Sequence, residues 1–394
     1  MYKIQTLNKI SPIGLAVFNE NYQIADAVDS PDAVLVRSAA MHDLELPASL
    51  KAIARAGAGV NNIPIEKCTA QGIAVFNTPG ANANGVKELA IAGMLLAARD
   101  IVGGINWVQE NKTNPDIAKL VEKGKSQFAG TEISGKKLGV IGLGAIGGPL
   151  ANAARHLGME VYGCDPFISV EAAWNLSRDI HHVKTREEIY RECDYITIHV
   201  PLIVNDDPAL GTRGMINQEA LAMMKDGVVI LNFARDLLVD DGAMEEALAS
   251  GRVARYVTDF PNARTAGMKG VVAIPHLGAS TEESEDNCAK MAASELMEYL
   301  ELGNIKNSVN LPDVELPKSA ANRIGVIHKN IPNMLAQISS VLSSQGINID
   351  NMINKSKKET AYTLLEVISE VKESDIKRLQ DIDGMIRVTV FPAK

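Results

Sequence analysis

Two residues of this chain have the type and the placing to hold an anion and to move a proton. Arg235 closes the run Leu231-Asn-Phe-Ala234-Arg235-Asp, and His276 lies in Pro275-His276-Leu-Gly278-Ala-Ser; each follows a short apolar stretch of strand character. Two further stretches of that kind end in His199-Val200-Pro201 and in Thr258-Asp259-Phe-Pro. An imidazole titrates near neutrality, so His276 can accept the proton of a hydroxyl group. A guanidinium grips a carboxylate through two parallel hydrogen bonds, which suits Arg235 to an organic acid. Taken singly, His276 is compatible with an ordinary loop residue and Arg235 with the cap of a strand. Taken together, a base and a cation are what the oxidation of a 2-hydroxy acid requires, provided that something accepts a hydride.

The run Leu138-Gly-Val-Ile-Gly142-Leu-Gly144-Ala145-Ile146-Gly147-Gly supplies a cradle for such an acceptor. It reads as an apolar strand, a glycine-rich turn and a helix over 149–157, followed by a second strand over 160–164 that ends at Asp165. Gly142 permits the tight turn. Gly144, with Ala145 and Ile146 beside it, lets the backbone approach a pyrophosphate at the positive end of the helix, and Gly147 lets helix and strand pack closely. Asp165 lies eighteen residues past Gly147, where a carboxylate hydrogen-bonds the ribose hydroxyls and repels a 2′-phosphate, so NAD is expected rather than NADP. The plainer alternative is a glycine-rich turn in an ordinary α/β domain.

These groups must be brought to one edge of a sheet, and open parallel sheets bind ligands beyond the carboxyl ends of their strands. Residues 14–18, 33–36, 52–56 and 73–76 read as strands with helical connections between them, and 88–102 as an apolar helix that crosses between domains or packs in an interface. The unit opened by the glycine-rich turn continues through strands at 195–200, 228–232, 253–258 and 271–274, with a long helix after Ser280. From Asn322 the pattern changes to strand, helix, strand, strand, helix, strand. The expected fold class is therefore α/β, with two Rossmann-like doubly wound parallel-sheet domains plus a C-terminal ferredoxin-like α+β domain. The expected boundaries are 1–97, completed by 283–305, for a substrate domain, 98–282 for the dinucleotide domain, 306–321 for a linker and 322–394 for the terminal module.

A chain of 394 residues suits two or three domains. Its net charge of −9 argues against nucleic acid or an anionic membrane as partner and confines any anion site to a local basic island. Four scattered cysteines with no C-x-x-C pair fit reduced thiols and a cytoplasmic protein. The N-terminus has no charged-then-apolar signal pattern, and no apolar run is long enough to span a bilayer. No metal site is expected.

The glycine fingerprint, His199-Val-Pro, Asn232-Phe-Ala-Arg235 and Pro275-His-Leu-Gly-Ala-Ser-Thr281 resemble the D-isomer-specific 2-hydroxyacid dehydrogenases. Ala56-Gly57-Ala-Gly-Val-Asn-Asn-Ile63 and Asn77-Thr-Pro-Gly-Ala-Asn82 resemble that family's substrate-domain loops. The resemblance implies that Arg235 binds the substrate carboxylate and carbonyl, that His276 is the acid/base, that Asp165 reads the adenosine ribose, and that Ala234 and Asp259 line the nicotinamide pocket. The implied reaction is NAD-dependent oxidation of a phosphorylated hydroxy acid, D-3-phosphoglycerate first, at the entry to serine biosynthesis. Glyoxylate, hydroxypyruvate or 4-phosphoerythronate are alternatives, and a non-catalytic NAD-sensing protein is an alternative of another class. Arg37, Ser38 and Arg55 are candidates for the phosphate, with the backbone from Gly57 as a nest for an anion and Asn82 nearby in the substrate loops. One departure stands out. The family places a glutamate that pairs with the histidine about five residues after the Asp259 position, whereas this chain reads Asp259-Phe-Pro-Asn-Ala-Arg264, leaving Glu282 or Glu283 as substitutes, an unassisted histidine, or lost catalysis.

The segment 323–392 resembles an ACT domain through Ile327-His328-Lys-Asn330-Ile-Pro-Asn333-Met-Leu335 and Gln345-Gly-Ile-Asn348-Ile349. That resemblance implies L-serine as effector, held by His328, Asn330 and Asn348, and edge-to-edge pairing in a homo-oligomer, a dimer or tetramer. Asn333 stands where the family usually has glycine.

Overall fold

The computed structural model describes residues 1–205, 207 and 210–393 and divides into two compact units, Met1–Asn82 with Glu282–Lys394, and Ala83–Thr281. The first unit holds a five-stranded parallel sheet in the order Tyr22–Ala25, Tyr2–Leu7, Ala33–Val36, Ala52–Arg55, Ala74–Asn77. The doubly wound reading holds, but the strand expected at 14–18 is absent. Pro12–Leu15 is a short helix there, started by Ser11, whose side chain accepts from the Ile13 N–H, and by Pro12 at its first position. The first two strands flank it and escaped the reading because Tyr2–Leu7 and Tyr22–Ala25 are short and mix polar with apolar residues.

The second unit is a seven-stranded parallel sheet in the order Val271–Ala273, Val253–Thr258, Val228–Asn232, Tyr195–Ile198, Lys137–Ile141, Glu160–Cys164, His181–His182. The strand order reverses beside Lys137–Ile141, which is the switch point where such sheets bind dinucleotides. The expected helix at 88–102 is two helices, Ala83–Ala98 and Ile101–Glu110. Asp100 makes the break by capping the second with its carboxylate on the Gly103 N–H. Val86, Ala90, Met94 and Ala98 pack with Leu138, Leu150 and Val257, so the helix Ala83–Ala98 belongs to this unit's core and the boundary falls at Asn82 rather than near residue 97.

The terminal module has the strand order Asn351–Lys357, Thr360–Val367, Asn322–Lys329, Met385–Phe391, all antiparallel, which is the ferredoxin-like arrangement. One sheet face carries Ile324, Val326, Leu365 and Val367 under Ile338, Leu342 and Leu379 of its two helices. The other carries Ile327, Tyr362, Leu364 and Phe391 into the core of the first unit, against Tyr299, Leu300, Ile305 and Leu316. Burial on both faces explains why all of Thr360–Val367 is buried. Residues 306–321 are consequently no free linker. Leu311, Val314 and Leu316 are buried, and Asn310 is bonded to Val75, Ile73, Thr69 and Ser308. The prolines and polar residues that suggest a linker here satisfy a buried turn instead.

Glu295, on the helix Glu282–Leu302, is 8% exposed and is pushed up to about 8 by burial, against the bond it accepts from Asn307 Nδ2. Its other oxygen has no hydrogen-bond partner among the described residues. The folded state therefore keeps a proton that the unfolded chain releases above its ordinary value of 4.5, so stability falls as pH rises from that value through about 8. Glu295→Gln keeps the bond from Asn307 without the ionisable group. It is expected to raise the melting temperature at pH 8 and flatten the pH dependence, with ~4 kcal/mol as the order of the effect. Melting curves of both proteins from pH 5 to 9 check this.

Candidate active site

The glycine-rich turn links the strand Lys137–Ile141 to the helix Gly147–His156. Gly142 has φ 91°, and a Cβ there would meet the carbonyl of His199; a Cβ on Gly147 would overlap the carbonyl of Gly142. Gly144 has open space where its Cβ would be, and Gly144 and Ala145 are exposed, so their backbone is approachable at the start of a three-turn helix. Ile146 is half-buried beside them. A cavity of about 580 Å3 opens here, lined by Gly144, Ala145, Gly148, Asn152, Ser169 and Asn175 among others. Asp165 accepts from the N–H groups of Leu143 and Phe167, one on each carboxylate oxygen. The same side chain expected to read a ribose thus holds the turn in place. These features fit a dinucleotide.

Val200 and Pro201 follow the neighbouring strand Tyr195–Ile198, so they flank the turn with His199. The His199 ring is bonded through Nε2 to Thr197, its Nδ1 has no partner among the described residues, and burial pulls it down to about 4, so it is a neutral ring. Its role is to brace the turn through its backbone, since the Gly142 N–H and Cα pack between Cys164 and His199.

Beyond the next three strands the expected chemistry converges. Asn232, fully buried, donates to the Arg235 carbonyl and accepts from the N–H groups of Ala234 and Arg235. This buried amide shapes the loop that presents the guanidinium, a role the sequence reading did not assign to it. Arg235 is exposed, with one N–H on the Ala234 carbonyl. Asp259 is 1% exposed and accepts from the Gly278 N–H. Burial pushes its carboxyl up, while His276 and Arg235 oppose that shift through their charge, so both lie within electrostatic reach of Asp259. One oxygen of Asp259 has no hydrogen-bond partner among the described residues, an orphaned buried atom of the kind a ligand can satisfy. His276 is exposed and packs on the Phe260 ring at 4.5 Å between centroids.

The missing glutamate is accounted for in part. Arg264 turns to Glu245, with Nη2 at 2.6 Å and Nε at 2.8 Å, and so belongs to an ion pair with the helix Asp241–Ser250. Within this unit Asp259 is a carboxylate that feels the charge of His276. Glu282 and Glu283 open the long helix of the first unit.

In the first unit Arg37 and Arg55 follow adjacent strands, in register at Val36 and Arg55. Arg55 Nε donates to the Arg37 carbonyl, and its guanidinium lies over Gly57, where a Cβ would overlap it; Gly57 has φ 147°. Arg37 pairs with Glu285 at 2.6 Å. The backbone N–H of Ser38 is taken by Asn8 Oδ1 at 3.0 Å, so Ser38 offers only its hydroxyl to a ligand. Asn82 ends this unit. In the terminal module His328 is 2% exposed, with Nδ1 on the Lys329 carbonyl and Nε2 on Thr363, so both ring nitrogens are engaged within the chain. Asn330 and Asn348 are exposed at opposite ends of the helix Met334–Ser344, so the three are not gathered into one site within a chain. Asn333 adopts φ 69°, the left-handed conformation that asparagine tolerates best after glycine. Among the described residues no group of three His, Cys, Asp or Glu is placed to hold a metal, and no helix is long and apolar enough to cross a membrane.

Residues 91–278 match the family described as D-isomer specific 2-hydroxyacid dehydrogenase, NAD binding domain. The second unit is therefore similar to the NAD-binding domain of the D-isomer-specific 2-hydroxyacid dehydrogenases, over just under half of the chain. It is 29% identical over 345 residues to a D-3-phosphoglycerate dehydrogenase of Haemophilus influenzae, covering 84% of this chain and 79% of that one. It is 33% identical over 331 residues to the enzyme of that name from Bacillus subtilis, covering 79% of this chain and 59% of that one, so it spans little more than half of this longer relative. Among solved structures, the NAD+-bound 3-phosphoglycerate dehydrogenase of Entamoeba histolytica matches with a TM-score of 0.58 and 27% identity, over 78% of this chain and 98% of the other.

Proposed function

We propose that this chain oxidises D-3-phosphoglycerate to 3-phosphohydroxypyruvate. NAD, when bound, takes the hydride from C2. His276 takes the hydroxyl proton, Arg235 holds the carboxylate, and Arg37 with Arg55 holds the phosphate. The observation that carries this reading is the grouping of Arg235, Asp259 and His276 at adjacent strand ends of the unit that bears the NAD cradle. Asp259, buried beside His276, is placed to interact with the imidazolium that forms and so to take over part of the work of the absent glutamate. The arginine pair of the first unit favours a phosphorylated acid over glyoxylate or hydroxypyruvate. L-Serine is the proposed effector, held between two paired modules by Asn330 of one chain and Asn348 of the other, with His328 bracing the strand beneath. A homo-oligomer is supported by the exposed Ile101, Val102, Ile105 and Val108 on the helix Ile101–Glu110 and by the open sheet edge Asn351–Lys357. The cytoplasm is the compartment that supplies such a substrate and keeps four buried thiols reduced.

The test is NADH formation, read at 340 nm, from purified protein with NAD and D-3-phosphoglycerate, with and without L-serine. Turnover that fails with unphosphorylated D-glycerate supports the reading. Faster turnover with another hydroxy acid replaces the substrate, and no turnover with any, despite NAD binding, favours a sensor.

A further inference from the structure

Beside the arginine pair assigned to the phosphate stands a residue that the reading above leaves without a task. Glu285, in the first turn of the helix Glu282–Leu302, places Oε1 2.6 Å from Arg37 Nη2. Both side chains are about two-fifths exposed, at 39% and 42%, so the pair adds little to stability and is free to exchange partners. Arg55, more buried, is lowered by burial and by the neighbouring charge of Arg37. The Arg55 guanidinium thus lies over Gly57 within electrostatic reach of Arg37, and the carboxylate of Glu285 is the counter-charge of Arg37.

We propose that Glu285 is an internal competitor for this arginine pair, displaced by the substrate's phosphate. The inference rests on the assignment of Arg37 and Arg55 to that phosphate. A phosphate monoester carries about −1.5 to −2 charges at pH 7, close to the charge of the two arginines without Glu285. With Glu285 in place the pocket would be over-neutralised. A dianion can replace a built-in carboxylate, because it gains both cations. A monoanion gains little by the exchange. Glu285 thereby keeps the pair ordered and closed to monoanions, and a dianion must displace it to bind. It is a specificity-determining residue and takes no part in proton or hydride movement.

The test uses the full chain and its Glu285→Gln, Arg37→Gln and Arg55→Gln variants, with KM for D-3-phosphoglycerate and competitive inhibition by inorganic sulfate as readouts. Glu285→Gln is expected to lower KM and the sulfate inhibition constant together, each by about tenfold, the scale for removing one neighbouring charge. Glu285→Asp, which keeps the charge, is expected to stay near the parent. A Glu285→Gln protein whose sulfate inhibition is unchanged, or whose KM rises, overturns the proposal and makes the carboxylate an ordinary support of Arg37. If instead Arg37→Gln and Arg55→Gln leave KM and sulfate inhibition unchanged, the phosphate assignment itself fails.

Discussion

His276→Ala is expected to lower kcat for D-3-phosphoglycerate oxidation by about a thousandfold, within the range that a placed general base contributes. NAD affinity should hardly change, because the cradle at Gly142, Gly144 and Gly147 and the brace from Asp165 lie on other strands of the unit. The ring's only described packing partner is Phe260, and its charge is felt by the buried Asp259. Alanine therefore removes the proposed proton acceptor and leaves Arg235 as the cation near Asp259, while His276→Asn fills the volume without restoring the base. Both proteins should lose turnover alike and keep NAD binding by calorimetry. A variant that retains a tenth or more of the parent kcat would remove His276 from the chemistry and leave Arg235 as the only assigned group.

The second large effect concerns the joint between the terminal module and the first unit. Arg323 is 2% exposed and donates to Glu366 through Nε and Nη2, at 3.0 and 2.7 Å. Its Nη1 reaches the Leu302 carbonyl at 3.1 Å, and Nη2 reaches the carbonyls of Leu316 and Pro317. One side chain thus satisfies the C-terminal end of the long helix, the segment after it and a buried glutamate. Burial alone would raise Glu366, but the bonds from Ser319, Asn351 and Arg323 outweigh it and hold it below its ordinary value. Arg323→Ala leaves that carboxylate buried without its cation, and a cost of ~3–5 kcal/mol is expected for breaking one side of such a pair. Urea unfolding of the full chain should show the loss. Arg323→Met combined with Glu366→Leu should recover most of it, because the charge and its partner then leave together. A single variant as stable as the parent would mean that water reaches Glu366 and the joint is looser than described.

That joint also marks where the sequence stops informing. The glycine spacing and the acid at 165 are local features whose geometry follows from chain length and backbone sterics, so the strand, the glycine turn and the helix after it were legible. The strand-end positions of Arg235, Asp259 and His276 were legible for the same reason, since apolar runs of strand length end where they end in any parallel sheet. The βαββαβ order of the terminal module came through too. Other features needed the folded chain, because they depend on residues far apart in sequence. The segment 306–321 looks like a linker until Tyr299 and Tyr362 close over its apolar positions and Asn310 meets Val75. Arg264 occupies the place of the expected glutamate, yet its partner Glu245 is nineteen residues back on another helix. His328 resembles a ligand-binding residue by motif, but both its nitrogens are taken by Lys329 and by Thr363 of a neighbouring strand. Glu285, a surface acid by sequence, becomes the counter-charge of Arg37 across 248 residues. Local spacing specifies what a backbone turn can hold. Which charge meets which, and which polar residue is buried, is decided only when distant segments share a core, because burial and Coulomb energy depend on distance in space and carry no mark in the local pattern.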